Sequence, residues 1–260
     1  MAAHLALIDD ALVRLARRKI RRLIIEMPPR HGKSMLSSIF FPAWYLGTFP
    51  QRKVILTSAT EELALDFSEQ ARDVLLEHGP DIFGMKVRRE AKSKAIWKTD
   101  QGGMLRAAGV GGSIMGRGAD LLIIDDYFKN VADAINEKER EKLYQWFLST
   151  RRTRLMPQGC IVLIATRWHA KDLIGKVLET ADRMGQKWER IRMAAICDQE
   201  EGDALGRKVG EALWESQFSK DVLMEYRKEY YESGYPWMWE ALYQQIPPSV
   251  LDSEFNADYF

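Results

Sequence analysis

Cysteine is scarce: Cys160 and Cys197 are the only two in 260 residues, and they stand far apart, without the close pairing of a metal site. Each reads as a buried thiol, which suits a reducing cytoplasm. Histidine numbers four, and His169 has no companion at ligand spacing. No apolar run approaches the length that crosses a bilayer, and no signal-peptide layout opens the chain, so no membrane partner is expected. An excess of one charge is missing too. Lys and Arg total 38 against 37 Asp and Glu, so any contact with a polyanion must come from local patches. Internal repeats and low-complexity segments are absent. What remains is a chain of ordinary composition, long enough for one α/β-sized domain and a small appendage.

The stretch with most to say is Leu23-Ile24-Ile25-Glu26-Met27-Pro28-Pro29-Arg30-His31-Gly32-Lys33-Ser34. Its apolar start reads as a short buried strand, Pro28-Pro29 stops it, and an amphipathic run from Met35 to Leu46 follows. A strand, a loop and a helix in that order make a phosphate cradle. The loop's backbone N–H groups and the positive end of the helix favour an anion. Pro29, Arg30, His31, Gly32, Lys33 and Ser34 would wrap a nucleotide β-phosphate. Lys33 would reach the β/γ-phosphates, and the Ser34 hydroxyl would ligate Mg²⁺. The match is incomplete, because the usual pattern opens with Gly where Met27 stands, and Gly-Lys-Ser alone is a weak signal.

A second stretch decides the matter. Leu121-Leu122-Ile123-Ile124 is too continuous to be half-exposed, which implies burial on both faces as in a parallel sheet. Asp125 and Asp126 at its C-terminal end sit where open α/β sheets bind ligands. Asp125 would hold Mg²⁺ through water, and Asp126 would orient an attacking water. A further apolar strand, Cys160 to Ala165, ends in Thr166, which reads either as a reporter of the γ-phosphate or as a cap.

Elsewhere the pattern predicts a helix from His4 to Ile20 that ends in Arg14, Arg17, Arg18, Lys19, Arg21 and Arg22. That cluster is either a solvated face or a contact for phosphate or a subunit. Lys53–Ser58 predicts a strand, and Thr60 a cap for the next helix, with Glu61 and Glu62 in its first turn. The hydroxyls at that strand's tip either do no more than cap or also contact DNA or transmit a nucleotide signal. Residues 80–118 read as an excursion with extended pieces at Lys94–Thr99 and Met104–Ala108 and a glycine-rich run carrying Arg117. Helices are expected over Ala132–Leu148, from Asp172 onward and over Ser219–Tyr231, and a strand over Ile191–Ile196. Tyr235, Trp237, Trp239 and Tyr243 are expected to pack a small subdomain rather than stack bases.

Together these pieces resemble the ATPase half of the large terminase subunit, the DNA-packaging motor of tailed bacteriophages. The resemblance rests on Arg22–Ser34, on Pro42-Ala43-Trp44-Tyr45-Leu46-Gly47 and on Gly111–Asp126. It continues through Thr166-Arg167-Trp168-His169 and Ala241-Leu242-Tyr243-Gln244-Gln245-Ile246-Pro247. It accounts for the absent first glycine, since that family tolerates other residues there and keeps an arginine in the loop, here Arg30. It implies an α/β P-loop NTPase of the additional-strand, catalytic-acid type. A mostly parallel sheet would be flanked by helices over residues 1–197, with a lid or linker subdomain over 198–260 leading towards an absent C-terminal nuclease.

It further implies ATP and Mg²⁺ as ligands and sequence-nonspecific double-stranded DNA as track. The partners it implies are the portal protein of the procapsid, the small terminase subunit and further copies in a ring when assembled; whether the isolated chain is a monomer is left open. The setting would be the cytoplasm of a phage-infected cell, transiently at the portal. The catalytic acid, often Glu in the family, is Asp126 here. Arg117 is the choice for a finger acting on a neighbouring subunit, with Arg151, Arg152 and Arg154 as rivals. Two other classes share the phosphate motifs. A helicase- or remodeller-like ATPase needs a second motor-like domain, for which too few residues follow Trp188. A small-molecule kinase would give Arg117 no role between subunits.

Overall fold

Strands and helices alternate from the start of the chain in the computed structural model, which describes residues 1–88, 93–112, 114 and 118–249. Helix α1 (Ala3–Ala16) leads to strand β1 (Arg22–Glu26); after a loop, a π-helical segment (Met35–Phe40) runs into α2 (Phe41–Thr48). Then come β2 (Lys53–Ser58), the long α3 (Glu61–Phe83), β3 (Ile96–Lys98), β4 (Met104–Gly109) and β5 (Ala119–Asp125). Helices α4 (Val131–Ile135) and α5 (Glu137–Arg154) precede β6 (Leu155–Ala165), α6 (Leu173–Arg183) and β7 (Glu189–Arg192). Helices α7 (Lys220–Glu232) and α8 (Pro236–Leu242) follow.

Seven strands form one sheet in the order β3-β4-β2-β5-β6-β1-β7, with every pair parallel except β3 with β4. Parallel neighbours need crossovers, and the crossover helices cover both faces of the sheet. Leu23, Ile25, Leu121 and Ile123 therefore share one core with α1, α2 and α3. Ile24, Leu122 and Ile124, pointing the other way, share a second core with α5 and α6. Double burial is why these strands read as unbroken apolar runs. Parallel register also brings the C-terminal ends of β1, β5 and β6 to one edge, Glu26 beside Ala165 and Asp125 beside Ile164. Strand β6 lies between β1 and β5, as expected for the additional-strand type.

Four local expectations shift. Residues 80–118 are no excursion: α3 continues to Phe83, ends on left-handed Gly84 (φ 63°), and β4 pairs with β2 to widen the sheet. That pairing is non-local and leaves little trace in a short segment. The helix expected over Ala132–Leu148 is broken at Asn136, whose side chain accepts from Lys138 N at 2.9 Å and caps α5. Helix α5 then absorbs the basic run up to Arg154. The last strand is Glu189–Arg192 rather than Ile191–Ile196, since Met193 N donates to Glu26 O and the chain then leaves the sheet. The expected helix after Ser34 begins as π-helical turns.

Ala195, Leu223 and Trp239 form a separate small cluster with Tyr226, Tyr230 and Tyr243, and Trp239 stacks on Tyr243 at 4.8 Å. Trp239 and Tyr243 thus pack against their neighbours, as expected. Ile123 is fully buried at the centre of the sheet. Ile123→Ala should cost about 2–5 kcal/mol by urea unfolding, and a smaller loss would mean that the sheet centre collapses around the cavity.

Candidate active site

The loop after β1 is held in a strained shape. Arg30 takes a left-handed φ of 61° and Gly32 one of 85°, conformations that glycine adopts freely and arginine does not. A Cβ on Gly32 would also lie 3.1 Å from Leu5 Cδ2 of α1. The His31 ring turns away from the strand edge. It is fully buried, stacks on Phe218 at 4.7 Å, and donates from Nδ1 to Pro29 O at 2.8 Å. Burial, chiefly, lowers its pKa to about 4, so the ring is neutral. His4 of α1 reaches the same place, donating from Nε2 to His31 O at 3.0 Å. What His31 offers an anion is its backbone.

Lys33, Ser34, Asp125 and Asp126 meet across the tip of β6. Ser34 Oγ donates to Asp125 Oδ1 at 3.2 Å, and Ser38 Oγ donates to Asp125 Oδ2 at 2.6 Å. Lys33 Nζ lies 3.5 Å from Asp126 Oδ2. Asp125 has no exposed surface. Its pKa is pushed up to about 7 by burial first and then by the Asp126 charge, against the pull of Lys33 and the two serines. A serine hydroxyl and a carboxylate are hard oxygen donors, and the charge of a magnesium ion would draw the proton off Asp125, so Ser34 and Asp125 fit that cation. Asp126 is strained at φ 41° and is fixed by its backbone, its N–H donating to Ile164 O at 2.9 Å. Thr166 N donates to Asp126 Oδ1 at 3.2 Å, while the Thr166 hydroxyl donates to Met27 O at 3.3 Å. Thr166 thereby ties the first residue of the loop to the second acid.

Pro29, Lys33, Thr60, Asp126, Thr166 and Trp168 line a cleft of about 360 Å³ at this edge. Thr60 also caps α3, accepting from Leu63 N at 3.2 Å, as the sequence predicts. Arg117 lies outside the described residues. Its rivals Arg151, Arg152 and Arg154 end α5 just before Leu155, which pairs with Ala119 at the start of β5, so within one chain they stand about 20 Å from the cleft.

Several site residues escape a sequence reading. Ser38 stands one turn after Ser34, and that spacing was the available signal. Glu26, fully buried at the end of β1, pairs with Arg167 and Arg190. Arg167 also donates from Nε to Asp172 at 2.7 Å, and Asp172 caps α6 by accepting from Gly175 N at 2.9 Å. Burial opposes the Arg167 charge, but Asp172 and Glu26 more than offset it and hold the guanidinium ionised. Gln245, strained at φ 56°, accepts from Arg167 N at 3.1 Å. The end of β1, the turn after β6, the start of α6 and the segment at Gln245 are thus cross-linked to one another.

Among folds built on a parallel sheet, it is the P-loop NTPases that place a glycine-lysine-serine loop and an acidic strand end on either side of an intervening strand. This chain is of that class. The family model described as terminase large subunit, T4likevirus-type, N-terminal, matches residues 24–231, and the chain belongs to that family. The large terminase of a thermophilic bacteriophage, solved in complex with ATP-gamma-S, has a similar fold. Its TM-score is 0.56 at 11% identity, over 94% of this chain and 52% of that one. The bacteriophage HK97 large terminase gives a TM-score of 0.52 at 12% identity, over 88% of this chain and 48% of that one. The chain therefore spans about half the length of these structures. No curated protein matches it in sequence.

The raised Asp125 pKa has a consequence for stability. An unfolded aspartate ionises near pH 4, whereas the folded metal-free protein keeps its proton to about pH 7. Between those values the folded state binds more protons, so stability should fall as pH rises through the window. Asp125→Asn should flatten that slope in urea unfolding without divalent cations; an unchanged slope would remove Asp125 as its source.

Proposed function

We propose that this chain is the ATP-hydrolysing motor domain of a phage large terminase, acting in an infected cell to drive double-stranded DNA into a procapsid. The observation that supports it most is the meeting of Lys33 and Ser34 with Asp125 and Asp126 across β6, in a chain of terminase family. ATP would enter the cleft with its β- and γ-phosphates on the loop's N–H groups. Lys33, paired with Asp126 in the structure, would turn to the phosphates and free that carboxylate. Asp126 would then orient a water for in-line attack on the γ-phosphorus and take up its proton as the bond from that phosphorus to the β–γ bridging oxygen breaks and ADP leaves. Magnesium held by Ser34 and Asp125 would supply charge neutralisation across the phosphates. Thr166, bonded to both the loop and Asp126, would relay loss of the γ-phosphate.

Arg117 is our choice for the cation that a neighbouring subunit contributes. The portal, the small terminase subunit and a ring of copies are the partners of this reading. DNA contact would be sequence-blind and salt-sensitive. We assign no nuclease activity to the chain.

Lys33→Ala should abolish ATP hydrolysis, while Asp126→Asn should keep nucleotide affinity and lose turnover; retained turnover in either counts against the site. Under assembled conditions, Asp126→Asn subunits mixed with Arg117→Ala subunits should regain partial activity. No rescue would mean that Arg117 does not act between subunits.

A further inference from the structure

At the edge of the sheet opposite the cleft, where β1 and β6 begin and α5 and α6 end, lies a groove of about 640 Å³. Arg21, Arg22, Arg151 and Arg152 line it, and no carboxylate does. In a chain whose charges nearly cancel, that is a local excess. Arg21, Arg22 and Arg152 make no ion pair among the described residues. Arg151 donates to Gln186 Oε1 at 3.2 Å. Burial first, and the Arg22 charge second, press its pKa down, so these cations crowd one another. The same groove carries apolar surface: Met156 is 49% exposed and Met184 63%.

Two chemistries could answer four guanidinium groups, a phosphodiester backbone or carboxylates, since both take paired N–H bonds from arginine. The methionines separate them. A phosphate backbone offers little to cover them, and a duplex meets its partners with a wide convex face, which a concavity of this size does not admit. A peptide segment presents carboxylates and apolar side chains at side-chain spacing. Methionine, unbranched and polarisable, adapts to such guests. Arginine and apolar anchors in one pocket are also the usual make-up of an interface centre.

We propose that this groove is a docking site for an acidic, partly apolar segment of a partner protein. Carboxylates would pair with Arg21, Arg22, Arg151 and Arg152, and apolar side chains would cover Met156 and Met184. The site lies far from the nucleotide cleft and does not depend on hydrolysis there. It also gives Arg151 and Arg152 a task other than completing a neighbour's active site.

The test is fluorescence anisotropy of the full chain at physiological salt with a fluorescein-labelled peptide in which glutamates alternate with leucines. A polyglutamate peptide and a labelled DNA duplex serve as rivals. Saturable binding of the mixed peptide is expected, weakened roughly ten-fold or more by Arg22→Glu with Arg152→Glu, and comparably by Met156→Asp. Polyglutamate should bind more weakly than the mixed peptide. Circular dichroism would establish that each variant folds, and Arg22→Gln with Arg152→Gln replaces the charge reversal if that one does not. Absence of saturable peptide binding would overturn the proposal. So would equal affinity for polyglutamate, or displacement of the peptide by a duplex whose own binding ignores Met156→Asp, which would make the groove a nucleic-acid site.

Discussion

A carboxylate sealed from water costs several kcal/mol unless hydrogen bonds and opposite charge surround it, and the C-terminal edge of this sheet is arranged around that constraint. Asp125 is the sealed group. Ser34 and Ser38, both presented by the turns after the loop, donate to its two oxygens. The loop must therefore lie over β6 and towards β5, and the π-helical segment must start where it does. Asp126, one residue on, is turned by its left-handed backbone towards Lys33. Two adjacent aspartates thus acquire different surroundings, one dry and hydroxyl-bound, the other partly wet and facing an ammonium. The proposed roles, one residue holding a cation and the other handling a proton, rest on that difference.

Behind this front, the frame is stiffened by charge. Glu26, Arg167 and Asp172 link the end of β1, the turn after β6 and the start of α6, all buried. A buried network of this kind is weak evidence for stability, because its desolvation cost is high. Its visible effect is positional. It ties these three segments to one another, and Gln245 extends the tie to the C-terminal region through Arg167 N. Three of the four non-glycine residues with positive φ among the described residues, Arg30, Asp126 and Gln245, lie near the cleft; the fourth, Arg18, precedes β1. Strain persists where surroundings over-determine a conformation, and hydrogen bonds from neighbouring segments do so at Asp126 and Gln245.

Sequence and structure agree where the signal is local or doubly buried. The strands at Leu23–Glu26 and Leu121–Asp125, the Thr60 cap and the intervening strand ending at Ala165 were all legible, because apolar runs and capping chemistry are written residue by residue. The break at Asn136 was less so; an asparagine inside a helical pattern is ambiguous until its side chain is seen to accept from Lys138 N. Strand β4 escaped as a sheet member because its partner β2 is separated from it by all of α3. Ion pairs such as Glu26 with Arg167 connect residues 141 apart, a distance over which no periodicity speaks. Loop identity was readable, but not the direction in which His31 would point.

That direction limits how far the nucleotide loop can be treated as a portable module. The His31 ring is shared among Phe218, Trp214 and His4, with centroids 4.7, 6.4 and 6.2 Å away. Segments from the beginning and the far end of the chain thus jointly own one residue of an eight-residue motif. Grafting that motif onto a foreign scaffold would leave an imidazole with no housing. Trimming α1 from this protein would open the same housing from the other side, so the smallest unit that can carry the loop reaches from the first helix to beyond Phe218.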